Sequence, residues 1–471
     1  MKFFPKPIPF TKLLGPSFVI LALGLGSGEV VLWPYLASNY GLGIAWGAVL
    51  GITFQFFMNM EIERYALIKG ESVFVGMHRL WRWAAWWFIA STFIGFGLPG
   101  IIAASAQAFG FVFHITEFKY VAMIFLFLIG LILSSGTTVY GIMESVTKTI
   151  IFLGIPFIFV LTFLLAKGTD WMTLAKGIVG VGKDFFIWPQ KMSLALFLGA
   201  FAYAGAGGNL NLTQSIYIRE KGYGMGKYAQ KISGLFQGDA KKQTVRLTGE
   251  DFTINQSNIK KFRQWWRQIN VEHLLIFWFL GALAMCLLML LAYVTTFGLG
   301  NNDKEIMFVI NESMFISAGL TYWAGPLFLF VVSVMLFQTQ LGILDSTSRI
   351  MAENWALKKL GKNIEGKINL AKIYYVFLWV QIAFGILLFA LNIYDPKFLI
   401  VLGAVINAFA MFIHVGMVNW MNYKVLPAPF QARLWRKVMI LVIFLFFGFF
   451  SALTLIDKSM PLVQNLINIL R

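Results

Sequence analysis

Long apolar runs, each ended by a short polar stretch, recur eleven times along the chain, at residues 12–38, 42–66, 82–113, 119–140, 145–166, 191–218, 271–298, 322–352, 372–393, 397–421 and 436–456. Each has the ~20 residues that an α-helix needs to cross a bilayer, well beyond the ~9–11 of a barrel strand. The pattern predicts an all-α integral membrane protein of about 11 transmembrane helices. Two runs break their own pattern. In the first, "LGLGSGEVVLWPY" sets Gly24, Gly26 and Gly28 just ahead of a carboxylate, Glu29. In the sixth, "LFLGAFAYAGAGGNLNLTQS" sets Gly205, Gly207 and Gly208 ahead of Asn209, Asn211, Thr213 and Gln214. Glycine is a poor helix former, and an ionised Glu at membrane depth is costly unless it is paired or wetted.

Laid together, "GSGEVVL" falls over "AGGNLNL", so Glu29 corresponds to Asn209. The two segments are five spans apart, which inverts one half of the chain relative to the other. Paired glycine-interrupted spans in corresponding positions are the sequence mark of a secondary transporter with inverted repeats. Unwound backbone at mid-membrane is tolerated only where it is buried in protein or lines a cavity. Glycines that serve close helix packing are the plainer reading of either segment alone. Both together predict breaks near 25–29 and 204–209 that face a shared site. Its expected lining is Gly26, Ser27, Glu29, Ala204, Gly205, Ala206, Gly207, Asn209, Asn211 and Thr213.

Composition agrees with a membrane protein: 59% of the 471 residues are hydrophobic, 13% are charged, and the mean hydropathy is +0.74. The net charge of +17 is not spread evenly. Roughly three quarters of the Lys and Arg fall in the N-terminal tail and the loops on its side. That bias predicts a cytoplasmic N-terminus, an outside C-terminus and a plasma (inner) membrane location, and it removes nucleic acid as the meaning of the charge. No cleavable signal stands out at the first run. The longest loop on the basic side, 219–268, ends in "NIKKFRQWWRQI". This stretch reads as a helix with Ile259, Phe262, Trp266 and Ile269 on a face laid on anionic lipid. Cys286 stands alone, and four His without ligand spacing speak against structural zinc or haem. No cofactor is expected.

The stretches "GPSFVILALGLGSGE", "MEIERYALIKGES" and "GAFAYAGAGGNLNLTQS" resemble the natural-resistance-associated macrophage protein (Nramp) family of divalent metal transporters. The resemblance implies a LeuT-like 5+5 inverted repeat plus one extra helix, here repeat one at 12–166, repeat two at 191–421 and the extra helix at 436–456. It implies a metal ion as the transported substrate. In register from Gly15-Pro16, the family's metal-binding Asp falls on Gly26 and its Asn on Glu29. Its metal-binding Met falls on Ala206 or Gly207. The chain therefore looks like a divergent branch whose site keeps one carboxylate, displaced by three residues, and oxygen rather than sulfur donors. Oxygen sets suit Mg²⁺, Ca²⁺ or Mn²⁺. The charged residues that family members use for protons in spans three and nine are missing here.

Other intramembrane polar residues have two readings each. Gln338, Asp345, Thr347 and Ser348 in span eight serve coupling, or Asp345 pairs with Arg349 one turn on. Asn407 and His414 in span ten form a relay or gate, or His414 is a hydrogen-bonded core histidine. Glu61, Glu63 and Arg64 close span two as an interfacial salt-bridge cluster. Three functions follow in order: a divalent-cation transporter (symporter or uniporter), a LeuT-like carrier of a small organic solute such as an amino acid or amine, and last an intramembrane enzyme, for which no nucleophile-and-base pair is present.

Overall fold

In the computed structural model of the chain the described residues are 2–10, 13, 16–24, 26–135, 139–181, 192–231, 243–361 and 364–470, the side chains of 139–151, 243 and 458–470 excepted. Among them, eight helices are long and apolar enough to cross a membrane: Pro16–Tyr40, Leu42–Lys69, Ala84–Val112, Gln256–Thr296, Ala324–Leu360, Leu370–Ala390, Pro396–Val425 and Leu434–Asp457. These carry predicted spans one, two, three, seven, eight, nine, ten and eleven. Span five lies in the helix Val139–Leu165, and a further helix beyond the predicted span, Gly168–Val179, turns by 119° on its portion Phe152–Leu165. Span four is the shorter apolar helix Phe118–Ser134. Span six is two short helices, Leu194–Ala202 and Thr213–Lys221, with a 3-10 turn at Gly208–Leu212 between them.

Helix ends follow local chemistry. Ser193, Asn255, Asn369 and Asp395 each cap a helix by accepting a backbone N–H three residues on. Gly70 and Gly222 stop the basic ends of span two and of the second half of span six in the left-handed region. Pro99 divides span three into Ala84–Phe96 and Gly100–Val112.

The packing sorts the spans into two groups. Spans three, four, eight and nine pack on one another, while span one contacts the second half of span six and the start of span seven, and span two packs along both. Span ten covers the first half of span six and its 3-10 turn. The helix Met307–Gly319 follows span seven within a stretch that the hydropathy pattern leaves as a loop.

The basic-side helix departs from expectation. Gln256–Thr296 is continuous, passing through a π-helical turn at Leu274–Phe279 into span seven. Its apolar face is Phe262, Trp265 and Ile269, all buried, rather than one that includes Trp266. That face is covered by protein: Phe262 packs on Phe4 and Phe430, and Trp265 on Tyr223. Trp266 instead lies under two guanidinium groups, Arg64 at 3.9 Å and Arg436 at 5.0 Å from the ring centre. The loop of 219–268 also contributes a strand, Gln243–Arg246, paired antiparallel with Glu365–Ile368 from the loop after span eight.

Candidate cation site at the facing breaks of spans one and six

The α-helix of span one ends at Gly24, and a π-helical turn, Ser27–Leu32, restarts it. Gly26, between them, has φ −142° and ψ −94°, outside the helical range. In span six the helix stops at Ala202. Gly205 (φ 123°) and Gly207 (φ 70°) then take conformations that L side chains resist. The breaks touch. A Cβ at Gly24 would stand 2.7 Å from the carbonyl carbon of Gly205, and one at Gly28 would overlap the carbonyl oxygen of Tyr203. Only glycine lets these two backbones approach so closely. The glycines thus serve close packing, as the plainer reading expects, and the packing sets the two breaks face to face.

Glu29 lies in the restarted turn, fully buried; no side chain pairs with its carboxylate, which faces the backbone N–H groups of Gly205 and of Glu29 itself without a well-formed hydrogen bond to either. Its Oε1 is 2.8 Å from the position a Cβ would take at Gly24, which places the carboxylate in the gap between Gly24 and Gly205. Ser27 and Gly26 are buried beside it, and the Thr339 side chain of span eight fills the space at Gly26. Ala204 and Ala206 are likewise buried in the turn of span six.

Hydropathy alone does not reveal Gln55. Its Nε2 donates to the Ala202 carbonyl at 2.9 Å and its Oε1 accepts the Gly207 N–H at 3.0 Å. One side chain from span two thus takes over backbone bonds that the break in span six forfeits. The signal for it is readable afterwards: Gln55, Asn59 and Glu63 repeat every four residues through an apolar helix.

The span-six polar residues divide. Asn209 donates to Ser91 Oγ at 2.8 Å and Thr92 Oγ1 at 2.9 Å, so its amide nitrogen is committed to span three. Thr213 donates to the Leu210 carbonyl at 2.5 Å, a bond within the turn. Asn211 is buried with neither amide atom partnered.

Asp345 pairs with Arg349 at 2.9 Å and accepts from Tyr374 Oη at 2.8 Å, while Thr347 and Ser348 bond Gln381 of span nine at 2.9 and 3.1 Å. These residues tie span eight to span nine and are not turned to the breaks. Gln338 is buried. Asn407 donates to Tyr203 Oη at 2.8 Å and to the Gly95 carbonyl at 2.9 Å, joining spans ten, six and three. His414 is buried with neither ring nitrogen hydrogen-bonded, so the expected hydrogen-bonded core histidine is not what is found. The cluster at the end of span two also splits: Glu61 pairs with Arg64 at 2.7 Å and with Arg436 at 3.5 Å, but Glu63 turns away from it to Gln214 and His273.

A cavity of about 10 Å³, room for about one water, lies between Gly95 of span three, Tyr203, Gln340 and Gly403 of span ten. Glu29 itself is sealed from solvent. Among the described residues no group of three or more His, Cys, Asp or Glu side chains is arranged to hold a metal ion. A cation between the breaks would therefore rest on one carboxylate and neutral oxygens.

No family model matches the chain, and no curated protein does. Solved structures do. A mutant of the manganese transporter of Eremococcus coleocola superposes with a TM-score of 0.70 at 13% identity, over 96% of this chain and 88% of that one. Mhp1, a nucleobase-cation-symport-1 family transporter in a closed conformation with bromovinylhydantoin bound, superposes with a TM-score of 0.53 at 13% identity, over 98% and 95%. The chain is an integral membrane protein with the LeuT-like fold of these transporters.

Proposed function

We propose that the protein is a secondary transporter that moves a divalent metal cation by alternating access, with Glu29 as the one charged ligand. The observation that carries this is a carboxylate sealed at the contact of two broken helices with no cationic or side-chain partner among the described residues. A buried charge without a partner is strongly unfavourable, so its presence here is explained by something charged that it is to meet. Support comes from the fold shared with a manganese transporter. Asn211 is the span-six amide with both atoms free, and carbonyls of the turn 203–207 supply further oxygens. Carbonyls at the ends of the two first half-helices add a negative field, since helix C-termini carry partial negative charge. Such an oxygen set suits hard ions and discriminates weakly among Mn²⁺, Mg²⁺ and Ca²⁺.

In this reading residues 12–166 and 191–421 are the inverted repeats, the helix of 436–456 is added to them, and no cofactor takes part. The basic loops lie in the cytoplasm with the N-terminus, and the C-terminus lies outside. An organic cation or amine is the second reading, since the fold also carries the transporter that binds bromovinylhydantoin and Glu29 would pair with an ammonium group. The test is uptake of Mn²⁺ into proteoliposomes with Mg²⁺, Ca²⁺, amino acids and amines as competitors. Competition by the divalent ions is expected. Inhibition by an amine without any by Mg²⁺ or Ca²⁺ would reverse the order of the two readings.

A further inference from the structure

A second buried polar group lies on the basic side of the breaks and has no role in holding the cation. Four elements contribute to it: Ser17 from span one, Glu63 from span two, Gln214 from span six, and Glu272 with His273 from span seven. All five are sealed from solvent, none being more than 4% exposed. Glu63 Oε1 accepts from Gln214 Nε2 at 2.6 Å and stands 3.4 Å from His273 Nδ1. Ser17 Oγ is 2.8 Å from the same Nδ1 and donates to Glu272. Glu63 Oε2, Gln214 Oε1 and His273 Nε2 have no hydrogen-bond partner.

The charges around Glu63 make this an unusual place for a carboxylate. From span seven it faces Glu272, a like charge, and His273. On its own helix Glu61 and Arg64 are paired with each other, and Arg436 joins them. Arg219, at the end of span six, is held by Glu353 at 3.1 Å and Glu220 at 3.4 Å. Span one contributes no charge over Pro16–Gly24. The ionic neighbour of Glu63 among the described residues is thus an imidazole, which is charged only when it carries a second proton.

Hydrogen bookkeeping gives the same answer. With the Ser17 hydroxyl donating to Glu272, a hydrogen on His273 Nδ1 points toward Ser17 Oγ and Glu63. A neutral imidazole then leaves Nε2 as a bare acceptor. One further proton can sit on either carboxylate, Glu63 or Glu272, or on His273 Nε2, and each choice removes one unit of buried negative charge. The cluster is not arranged to hold a metal ion.

Its position links it to the cation site. The ring of His273 is stacked between Phe56 (5.6 Å) and Phe277 (4.7 Å, 9° between planes). Phe277 in turn reaches Gly205, its Cζ 2.8 Å from where a Cβ would stand. On span two the stripe Gln55–Asn59–Glu63 runs about 12 Å from the break to the cluster at 1.5 Å per residue, and Asn59 is buried with both amide atoms unpartnered. This stripe is a polar connection from the break toward the basic side.

We propose that Glu63 and His273 share a transferable proton that couples transport to pH, bound while the cluster is sealed and released toward the basic side when Ser17 leaves with the first half of span one. The proposal rests on the transport reading, and the test separates the two. Infrared pH titration of the purified full-length protein should show a protonated buried carboxyl that is lost in Glu63→Gln and kept in Glu29→Gln. His273→Asn should move its midpoint by about one pH unit or more, and gives a readout if Glu63→Gln does not fold. In proteoliposomes holding a trapped pH dye, Mn²⁺ uptake should move protons, and Glu63→Gln should abolish that movement. A carboxyl signal unchanged by Glu63→Gln, or proton movement that persists in that variant, overturns the proposal. Mn²⁺ uptake with no proton movement overturns it while leaving the transport reading in place. A Glu63 titration in a protein that takes up no divalent ion overturns the transport reading instead.

Discussion

Glu29→Gln separates ligand binding from folding, because the two respond with opposite signs. The side chain is fully buried and no other side chain pairs with it, so an amide, which keeps a carbonyl oxygen for the backbone N–H groups of Gly205 and Glu29, disturbs little that holds the ligand-free fold together. Removing the charge of an unpaired buried carboxylate leaves the ligand-free protein as stable as before, or more stable by up to about 1–3 kcal/mol. The cation feels the reverse. At a contact of about 2.4 Å and an effective dielectric of about 20, a divalent ion and a carboxylate attract by roughly 14 kcal/mol before desolvation. If four fifths of that is returned as desolvation, about 2.8 kcal/mol remains, or roughly 100-fold in affinity. Thermal unfolding in detergent, followed by tryptophan fluorescence, reads both. At a Mn²⁺ concentration about 100 times the dissociation constant the unaltered protein gains about 2.7 kcal/mol, and the variant only about 0.4 kcal/mol. An equal metal-induced shift in the variant would falsify the assignment of Glu29 as ligand. A ligand-free variant that loses more than about 2 kcal/mol would show the carboxyl to be structural.

Three further substitutions test the surroundings. Gln55→Leu orphans the Ala202 carbonyl and the Gly207 N–H together, at about 1–3 kcal/mol each, so both melting temperature and Mn²⁺ affinity should fall. An unchanged uptake KM would deny that the shape of the turn matters to the ion. Gly28→Ala drives a methyl into the Tyr203 carbonyl oxygen and should lower stability by about 1–3 kcal/mol or more, seen as lost monodisperse material on size exclusion. Asp345→Asn leaves Arg349 buried without its carboxylate and should destabilise by about 3–5 kcal/mol. The ratio of Mn²⁺ to Mg²⁺ uptake should stay the same, and a changed ratio would return Asp345 to the cation path.

The residues that sequence reading located and those it missed differ in kind. Spans, breaks and Glu29 are legible because they violate a local rule: glycine in a helix, or charge in an apolar run. The Asp345–Arg349 pair is legible for a similar reason, being one helical turn apart. Gln55 was overlooked because its partners lie 147 and 152 residues away along the chain, and no local pattern names them. Asn209 and Asn211 look equivalent in sequence, yet one is committed to Ser91 and Thr92 and the other is not; only packing against span three decides between them. The face of the helix 256–273 was misplaced by one residue for a related reason. Its covering comes from Phe4, in the N-terminal tail, and Phe430, between spans ten and eleven.

The N-terminal tail is fastened at four points: Lys2 N–H to the Asp251 carbonyl, and the carbonyls of Phe3, Pro5 and Leu13 to Tyr228, Trp265 and Tyr223. It leads directly into the first half of span one. A segment moored this way acts as a leash, so the first half of span one cannot swing without letting out tail or dragging the basic-side loops after it. Turnover then has a mechanical load set outside the membrane. Deleting residues 2–10 would slacken the leash and speed inward opening at the expense of a tightly shut resting state. A bulky fusion at residue 1 would do the opposite, acting as a brake on a protein whose binding site it never approaches.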